Sequence, residues 1–480
     1  MYMDKSIEEL HELLKGNKIT SKELVNESLK KSHEIQDKYN AFVTILDAAK
    51  ESNVTEELLS GIPFGVKDNF STKDILTTGS SNTLKNYVPV FTATVVDNIL
   101  QKGAVMTNKT VLDEFGMGAT GTTGHTGSVL NPWDKTRMCA GSSAGSACAV
   151  ASGVYPYALG SDTGDSVRKP ASFCGIVGFK PTYGMLSRYG LFPYASSLDH
   201  VGVLTRSVSD AAIVVDAMKG KDNHDMTSWD SSKIDLYKSL NGEVKGKKLF
   251  YIKEICDINN YPDATTELKE HLANFHKTLE LLKELDVSVE GISFPIELIK
   301  AIPAVYMVIS NAEATSNMSN LTGISFGVRS DKNNITEMMK EHRTKGFSPL
   351  IKRRFVIGSY VLQSENQERY FKNAARARRL IVDKTKELFQ DYAALIMPVG
   401  FAKKLDSDTK YELPNEMDDY LLIGNFGGFP SITIPDGFVN DLPVGINITG
   451  NCFNDIEVLN LAYALESKMN YKGQIAKERV

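Results

Sequence analysis

Several stretches of the chain carry residues at spacings that could do chemistry. Gly141-Ser142-Ser143-Ala144-Gly145 satisfies the G-x-S-x-G pattern of a nucleophile elbow, with Ser143 in the nucleophile position. An elbow needs an apolar strand in front of it and a late histidine. Here Asn131 to Arg137 read as loop, and the last histidine, His342, lies far from the C-terminus. No G-x-x-x-x-G-K-[ST] and no strand-borne G-x-G-x-x-G occurs, so nucleotide binding by this chain has little support. The eight histidines are scattered without an H-E-x-x-H, and His125 and His200 read as structural, so no metal site is expected. A hydrolase without a histidine base needs another one. Lysine serves where burial lowers its pKa from about 10.4, because a low dielectric disfavours the ammonium. Lys67 sits in Gly61-Ile62-Pro63-Phe64-Gly65-Val66-Lys67-Asp68-Asn69-Phe70, apolar flanks that place it at a buried strand end. The alternative is a lysine that snorkels to solvent.

The elements around these residues suggest an α/β core. Residues 5–50 have the spacing of amphipathic helices, with Thr20 and Glu23 forming a capping-box pattern. From 61 to 220, short apolar runs (Thr94-Val95-Val96 and Gly103 to Met106) alternate with helical stretches such as Ala211 to Met218, and Gly, Ala, Ser and Thr crowd from 116 to 184. Residues 221–345 read as a mostly helical insertion. Strand patterns resume at 393–400 and 431–449. One discontinuous domain over 1–480 is expected: N-terminal helices over 1–55, a core over 56–220, the insertion, and the rest of the core over 346–480.

The 480 residues are 42% hydrophobic and 24% charged, which excludes wholesale disorder. Lys+Arg 54 against Asp+Glu 59 gives a net charge of −5, with no basic excess to drive nucleic-acid binding. The five cysteines, Cys139, Cys148, Cys174, Cys256 and Cys452, form no C-x-x-C pair, so a disulfide framework is not expected and a reducing, cytoplasmic compartment is. No signal peptide or membrane span is expected.

Lys67, the run Gly141 to Ser146, and Gly160-Ser161-Asp162-Thr163-Gly164-Asp165-Ser166-Val167-Arg168 together resemble the amidase signature family. Cys174-Gly175-Ile176-Val177-Gly178-Phe179-Lys180-Pro181-Thr182 and Ser196-Ser197-Leu198-Asp199 extend the likeness over most of the chain. Within the family, Ser21 to Val25, Tyr39 to Phe42, Arg353-Arg354 with Gly358-Ser359-Tyr360, and Asp418 are similar to the glutaminase subunits of tRNA-dependent amidotransferases.

The resemblance implies a central mixed β-sheet covered by helices on both faces. It implies a Ser–cis-Ser–Lys triad, with Ser166 the nucleophile, Ser142 the proton relay on a cis peptide, and Lys67 the base. It also implies an oxyanion hole from the N–H groups of Thr163, Gly164, Asp165 and Ser166, with Ser143, Asp162 and Arg168 supporting the loop. Arg354 and Asp418 would hold the α-carboxylate and α-ammonium of glutamine, with Arg353 a rival for the first role and a structural ion pair the alternative for either. No cofactor is implied in this chain. ATP and magnesium belong to a partner B subunit that carries the tRNA and amidates Glu-tRNA(Gln) or Asp-tRNA(Asn), with a small C subunit beside it. The competing readings are a free-standing amidase for aryl or alkyl amides and an inactive scaffold subunit. The chain departs from the family pattern at Asp165, where a glycine is usual, at Val203, and over Asn320 to Gly327.

Overall fold

The computed structural model describes residues 2–405 and 416–477. Among the described residues, eleven strands form one mixed sheet: β1 Phe42–Ile45, β2 Pro63–Lys67, β3 Val105–Thr110, β4 Tyr157–Asp162, β5 Val177–Lys180, β6 His200–Thr205, β7 Lys248–Ile252, β8 Ser288–Ile292, β9 Ala394–Val399, β10 Ser431–Val439 and β11 Leu442–Gly450. Their order is β1-β3-β2-β4-β6-β5-β10-β11-β9-β7-β8. Strand β2 pairs in parallel with β3 and β4, while β4, β6, β5, β10, β11 and β9 run antiparallel to their neighbours in turn. The parallel trio β9-β7-β8 closes the far edge.

The N-terminal segment begins as expected, with helices α1 (Ile7–Lys15) and α2 (Ser21–Tyr39). Helix α2 is capped by the reciprocal Thr20–Glu23 hydrogen bonds. The chain then turns into β1, which pairs antiparallel with β3 and forms the near sheet edge. Thr94–Gln101 is a helix, α3, rather than a strand, and it buries Val95, Val96 and Ile99 at helical spacing.

Side-chain alternation along the central strands supplies two separate cores. Ala158 of β4 and Leu204 of β6 pack with Ala144, Ala147 and Val150 of helix α4 (Ala144–Ala151). Their strand neighbours Tyr157, Leu159 and Val203 pack in the other core with Val208, Ala211 and Val215. Small residues let α4 lie close to the sheet: a Cβ on Gly145 would stand 2.2 Å from the Ala41 carbonyl oxygen.

Residues 221–345 contribute long helices at Thr266–Glu284 and Ile296–Asn317, but also β7 and β8, so this segment completes the sheet as well as covering it. Among the described residues no helix is long and apolar enough to cross a membrane, and all five cysteines are free.

Candidate active site

Lys67 is the last residue of β2 and is fully buried. Parallel pairing carries it between the ends of β3 and β4. From there its Nζ reaches Ser142 Oγ at 2.7 Å, Ser143 Oγ at 2.9 Å, and Ser161 Oγ and O at 2.9 and 3.1 Å. No carboxylate is among these partners. Burial therefore dominates and pushes the ammonium down to about 7, against the more distant pull of Asp113, Asp162, Asp199 and Asp165. The result is a base poised at neutral pH. Its four polar contacts exceed what a neutral amine can donate, so one hydroxyl proton is free to point at the nitrogen lone pair.

The Gly141–Ser142 peptide bond is cis. The loop that carries it is fastened on both sides. Asp113 N–H donates to the Ser142 carbonyl, and Ser143 N–H donates to that of Ser166, bringing the two serine segments together. Asp113 in turn accepts from the N–H groups of Thr120, Gly121, Thr122 and Thr123. A Cβ on Gly141 would lie 1.9 Å from Asp113 Oδ2, so only glycine fits there. Helix α4 starts just after Ser143 and no strand precedes the loop, so the G-x-S-x-G match is not an elbow.

Ser166 lies in the turn between β4 and helix α5 (Arg168–Cys174) and is buried. Among the described residues, the N–H groups of Thr163, Gly164, Asp165 and Ser166 donate to no protein acceptor. Four consecutive N–H groups without a protein acceptor are the kind of donors that an oxyanion needs. Gly164 is pinned, because a Cβ there would meet Leu422 at 2.7 Å and Tyr306 at 3.1 Å. The turn is held from below by a buried pair. Arg168 contacts Asp162 through Nε and Nη2 at 3.1 and 2.9 Å, and its Nη2 also donates to the Gly164 carbonyl at 2.6 Å. Burial alone would raise the Asp162 pKa, but Arg168, with help from Lys180 and the Val167 N–H, holds it far below the usual carboxylate range. Asn425 donates to Asp162 and accepts from Arg168, which locks the pair to the 422–426 segment.

Of the two arginines considered, Arg353 is exposed and Arg354 points inward. Arg354 Nη1 donates to Tyr194 Oη and Asn311 Oδ1, both at 3.1 Å, and its guanidinium lies over the Tyr194 ring. Among the described residues no carboxylate forms a salt bridge with it, and its buried Nε has no partner. Asp418 is buried and already engaged: Lys169 lies 3.1 Å away, Lys403 lies 3.8 Å away, and Gly400 N–H donates to it. Burial would raise its pKa, but the two lysines lower it.

The sequence profile of the Amidase family matches residues 23–459. The chain belongs to the amidase family. It is 38% identical over 99% of both chains to a Halothermothrix orenii protein named as the A subunit of glutamyl-tRNA(Gln) amidotransferase, and 37% identical over 98% of both to the protein of that name from Bacillus licheniformis. The crystal structure of the protein of the same name from Thermotoga maritima superposes with a TM-score of 0.81 at 35% identity, covering 99% of this chain and 98% of that one. A peptide amidase from Stenotrophomonas maltophilia shares the fold, with a TM-score of 0.83 at 23% identity over 98% of this chain and 97% of that one. The mixed sheet flanked by helices is thus the fold of amidase-family structures.

Within this family framework the geometry adds residues that the sequence did not single out. Ser161 bridges Lys67 and Asn69 through its hydroxyl. Asp113 seats the Ser142 loop, and Lys169 joins Asp165 to Asp418 at 3.5 and 3.1 Å. Lys169 alone had a sequence signal, four residues after Asp165 at a helix start. His200 is buried with Nδ1 against the Leu198 carbonyl, and burial keeps it neutral.

Proposed function

We propose that this chain is the glutaminase subunit of a tRNA-dependent amidotransferase, hydrolysing glutamine to glutamate and ammonia. The observation that carries the reading is the buried Lys67 amine, with no carboxylate of the described residues in hydrogen-bond contact, 2.7 Å from Ser142 Oγ in a loop tied to Ser166. Full-length likeness to proteins named as the A subunit of such an enzyme supports the choice of substrate.

In this mechanism Ser166 Oγ attacks the carboxamide carbon of glutamine. Its proton passes to the Ser142 hydroxyl, whose own proton passes to Lys67 Nζ. The oxyanion of the tetrahedral intermediate accepts hydrogen bonds from the free N–H groups of residues 163 to 166, each typically worth about 3 kcal/mol of barrier. Lys67 returns the proton through Ser142 to the departing nitrogen, which leaves as ammonia. Water then attacks the acyl carbon by the same relay in reverse, releasing glutamate and regenerating Ser166.

The Arg354 guanidinium, without a carboxylate counter-ion among the described residues, receives the α-carboxylate in a forked pair. Asp418 takes the α-ammonium alongside Lys169. A partner B subunit binds ATP, magnesium and the misacylated tRNA and uses the ammonia to form Gln-tRNA or Asn-tRNA. A small C subunit completes the complex, and its setting is the cytoplasm. A second reading, a free-standing amidase for a simple amide, is favoured by one feature: Asp418 already has two lysine partners.

Ammonia release from glutamine, with and without the B subunit plus misacylated tRNA, separates the two. Turnover that needs the partner and is lost in Ser166→Ala supports the glutaminase subunit. Hydrolysis of a simple amide by the chain alone, with no glutamine turnover under any condition, supports the free-standing amidase.

A further inference from the structure

The residue before the candidate nucleophile is an aspartate. A carboxylate beside an oxyanion hole opposes the negative charge that develops there. The structure shows what accompanies it. Asp165 Oδ2 lies 3.5 Å from Lys169 Nζ, and the Asp165 carbonyl accepts the Lys169 N–H at 2.8 Å across the first turn of α5. The same Nζ lies 3.1 Å from Asp418 and over the Phe173 ring. Lys169 is therefore a single cation clamped between two carboxylates, one on the nucleophile turn and one on the 416–419 segment.

We propose that Lys169 is the positioning residue that allows this chain to carry Asp165 next to Ser166. Its ammonium neutralises the aspartate and fastens the carboxylate onto α5, leaving the N–H groups of the turn free for the oxyanion. The proposal rests on the reading of Ser166 as nucleophile. The groups that face Asp165 are Lys169, Asp162, Asp418, Arg168 and Tyr306. Those that face Lys169 are Asp418, Asp165 and Asp419, with Lys403 on the other side of Asp418. Burial raises the Asp165 pKa to about 6 even with Lys169 beside it, so the carboxylate is charged at neutral pH and depends on that lysine. Its charge also reaches the base: Asp165, after Asp113, Asp162 and Asp199, is among the groups that favour the Lys67 ammonium.

These contacts define a test in the full chain assembled with its partner. Ammonia release from glutamine is measured against pH for wild type, Lys169→Met, Lys169→Arg, Asp165→Gly and the double variant Asp165→Gly/Lys169→Met, with Ser166→Ala as control. Lys169→Met is expected to lower kcat about tenfold or more, the scale of an uncompensated charge beside developing oxyanion charge. Without Lys169 the Asp165 carboxyl ionises only at higher pH, so the loss of kcat should deepen on the alkaline side of the profile, where the carboxylate stands uncompensated. Lys169→Arg keeps the charge and should retain most of the kcat that Lys169→Met loses. The double variant should recover most of the lost kcat and remove the added loss at alkaline pH.

The proposal is overturned if Lys169→Met leaves kcat unchanged across the pH range, or if removing Asp165 rescues nothing. If Lys169→Met does not fold, Lys169→Arg and the double variant carry the same comparison. Glutamine turnover that survives in Ser166→Ala would instead overturn the reading of the site itself, independently of how Lys169 behaves.

Discussion

Replacing Lys67 by methionine should abolish glutamine hydrolysis and, at neutral pH, make the protein more stable. Burial holds the Lys67 amine at about 7 rather than the ordinary 10.5. An unfolded chain binds that proton up to about pH 10.4, whereas the folded chain gives it up near 7. The difference of roughly 3.5 pH units disfavours the folded state by about 5 kcal/mol at pH 7 and below. Methionine removes that cost. It also removes the hydrogen bonds to the hydroxyls of Ser142, Ser143 and Ser161, at about 1 kcal/mol each.

The net gain for Lys67→Met is therefore about 2 kcal/mol at pH 7. Between about pH 7 and 10.4 the unfolded chain still holds the proton that the folded chain has released, so the wild-type penalty shrinks by about 1.4 kcal/mol per pH unit and the advantage should reverse near pH 8.5. Urea unfolding of both proteins at pH 7 and pH 9.5 reads this directly, provided the slopes agree. A variant less stable than wild type at pH 7, with no change of sign at higher pH, would refute the picture of a desolvated base. Retained glutaminase activity would refute its catalytic role.

Other outcomes follow from the same geometry. Because Lys67 titrates at about 7 and acts as the neutral amine, kcat/KM for glutamine should rise through pH 7 with a single acid limb, read from initial rates of ammonia release between pH 5.5 and 9. Arg354→Ala should raise KM for glutamine about 10- to 100-fold through loss of a charged hydrogen-bonded pair, while hydrolysis of an amide lacking the α-carboxylate should change little. Asp162→Asn leaves the fully buried Arg168 without its counter-ion and should cost about 3–5 kcal/mol in denaturant unfolding. Gly164→Ala drives a methyl to within 2.7 Å of Leu422, and should lower kcat more than it raises KM by displacing the donor turn.

How much of this was legible in the chain differs from residue to residue. Lys67 stood out because apolar flanks on both sides predict burial, an unusual place for a lysine. Arg354 could not be separated from Arg353 by type, yet in a helix adjacent residues lie about 100° apart, and only the packed helix Pro349–Leu362 shows which one faces inward. Thr94-Val95-Val96 is too short to distinguish a period of two from one of 3.6, so its helix emerged only with Ile99 as the next buried position. Strand β8 hides because it closes an edge of the sheet, where much of it remains exposed and the apolar signal is weak, whereas β7 is a short apolar run, Leu249 to Ile252, between long polar stretches. Asp113, Asn69 and Ser161 act through long-range hydrogen bonds that the parallel pairing of β2 with β3 and β4 creates, and no local spacing announces them. Asp165 read as an isolated departure from the family pattern, but together with Lys169 and Asp418 it is one member of a bridged set of charges.

The central claim is that Ser166, activated through Ser142 by Lys67, is the residue that attacks glutamine. It is tested most directly by covalent capture. The full chain in its complex is treated with a glutamine analogue bearing an electrophile at the position of the carboxamide, and the labelled residue is located by peptide mass spectrometry. The account predicts one adduct, on Ser166, absent from Ser166→Ala and strongly slowed in Lys67→Met. An adduct on Ser142 or Ser143, with Ser166→Ala labelled as fast as wild type, would contradict it.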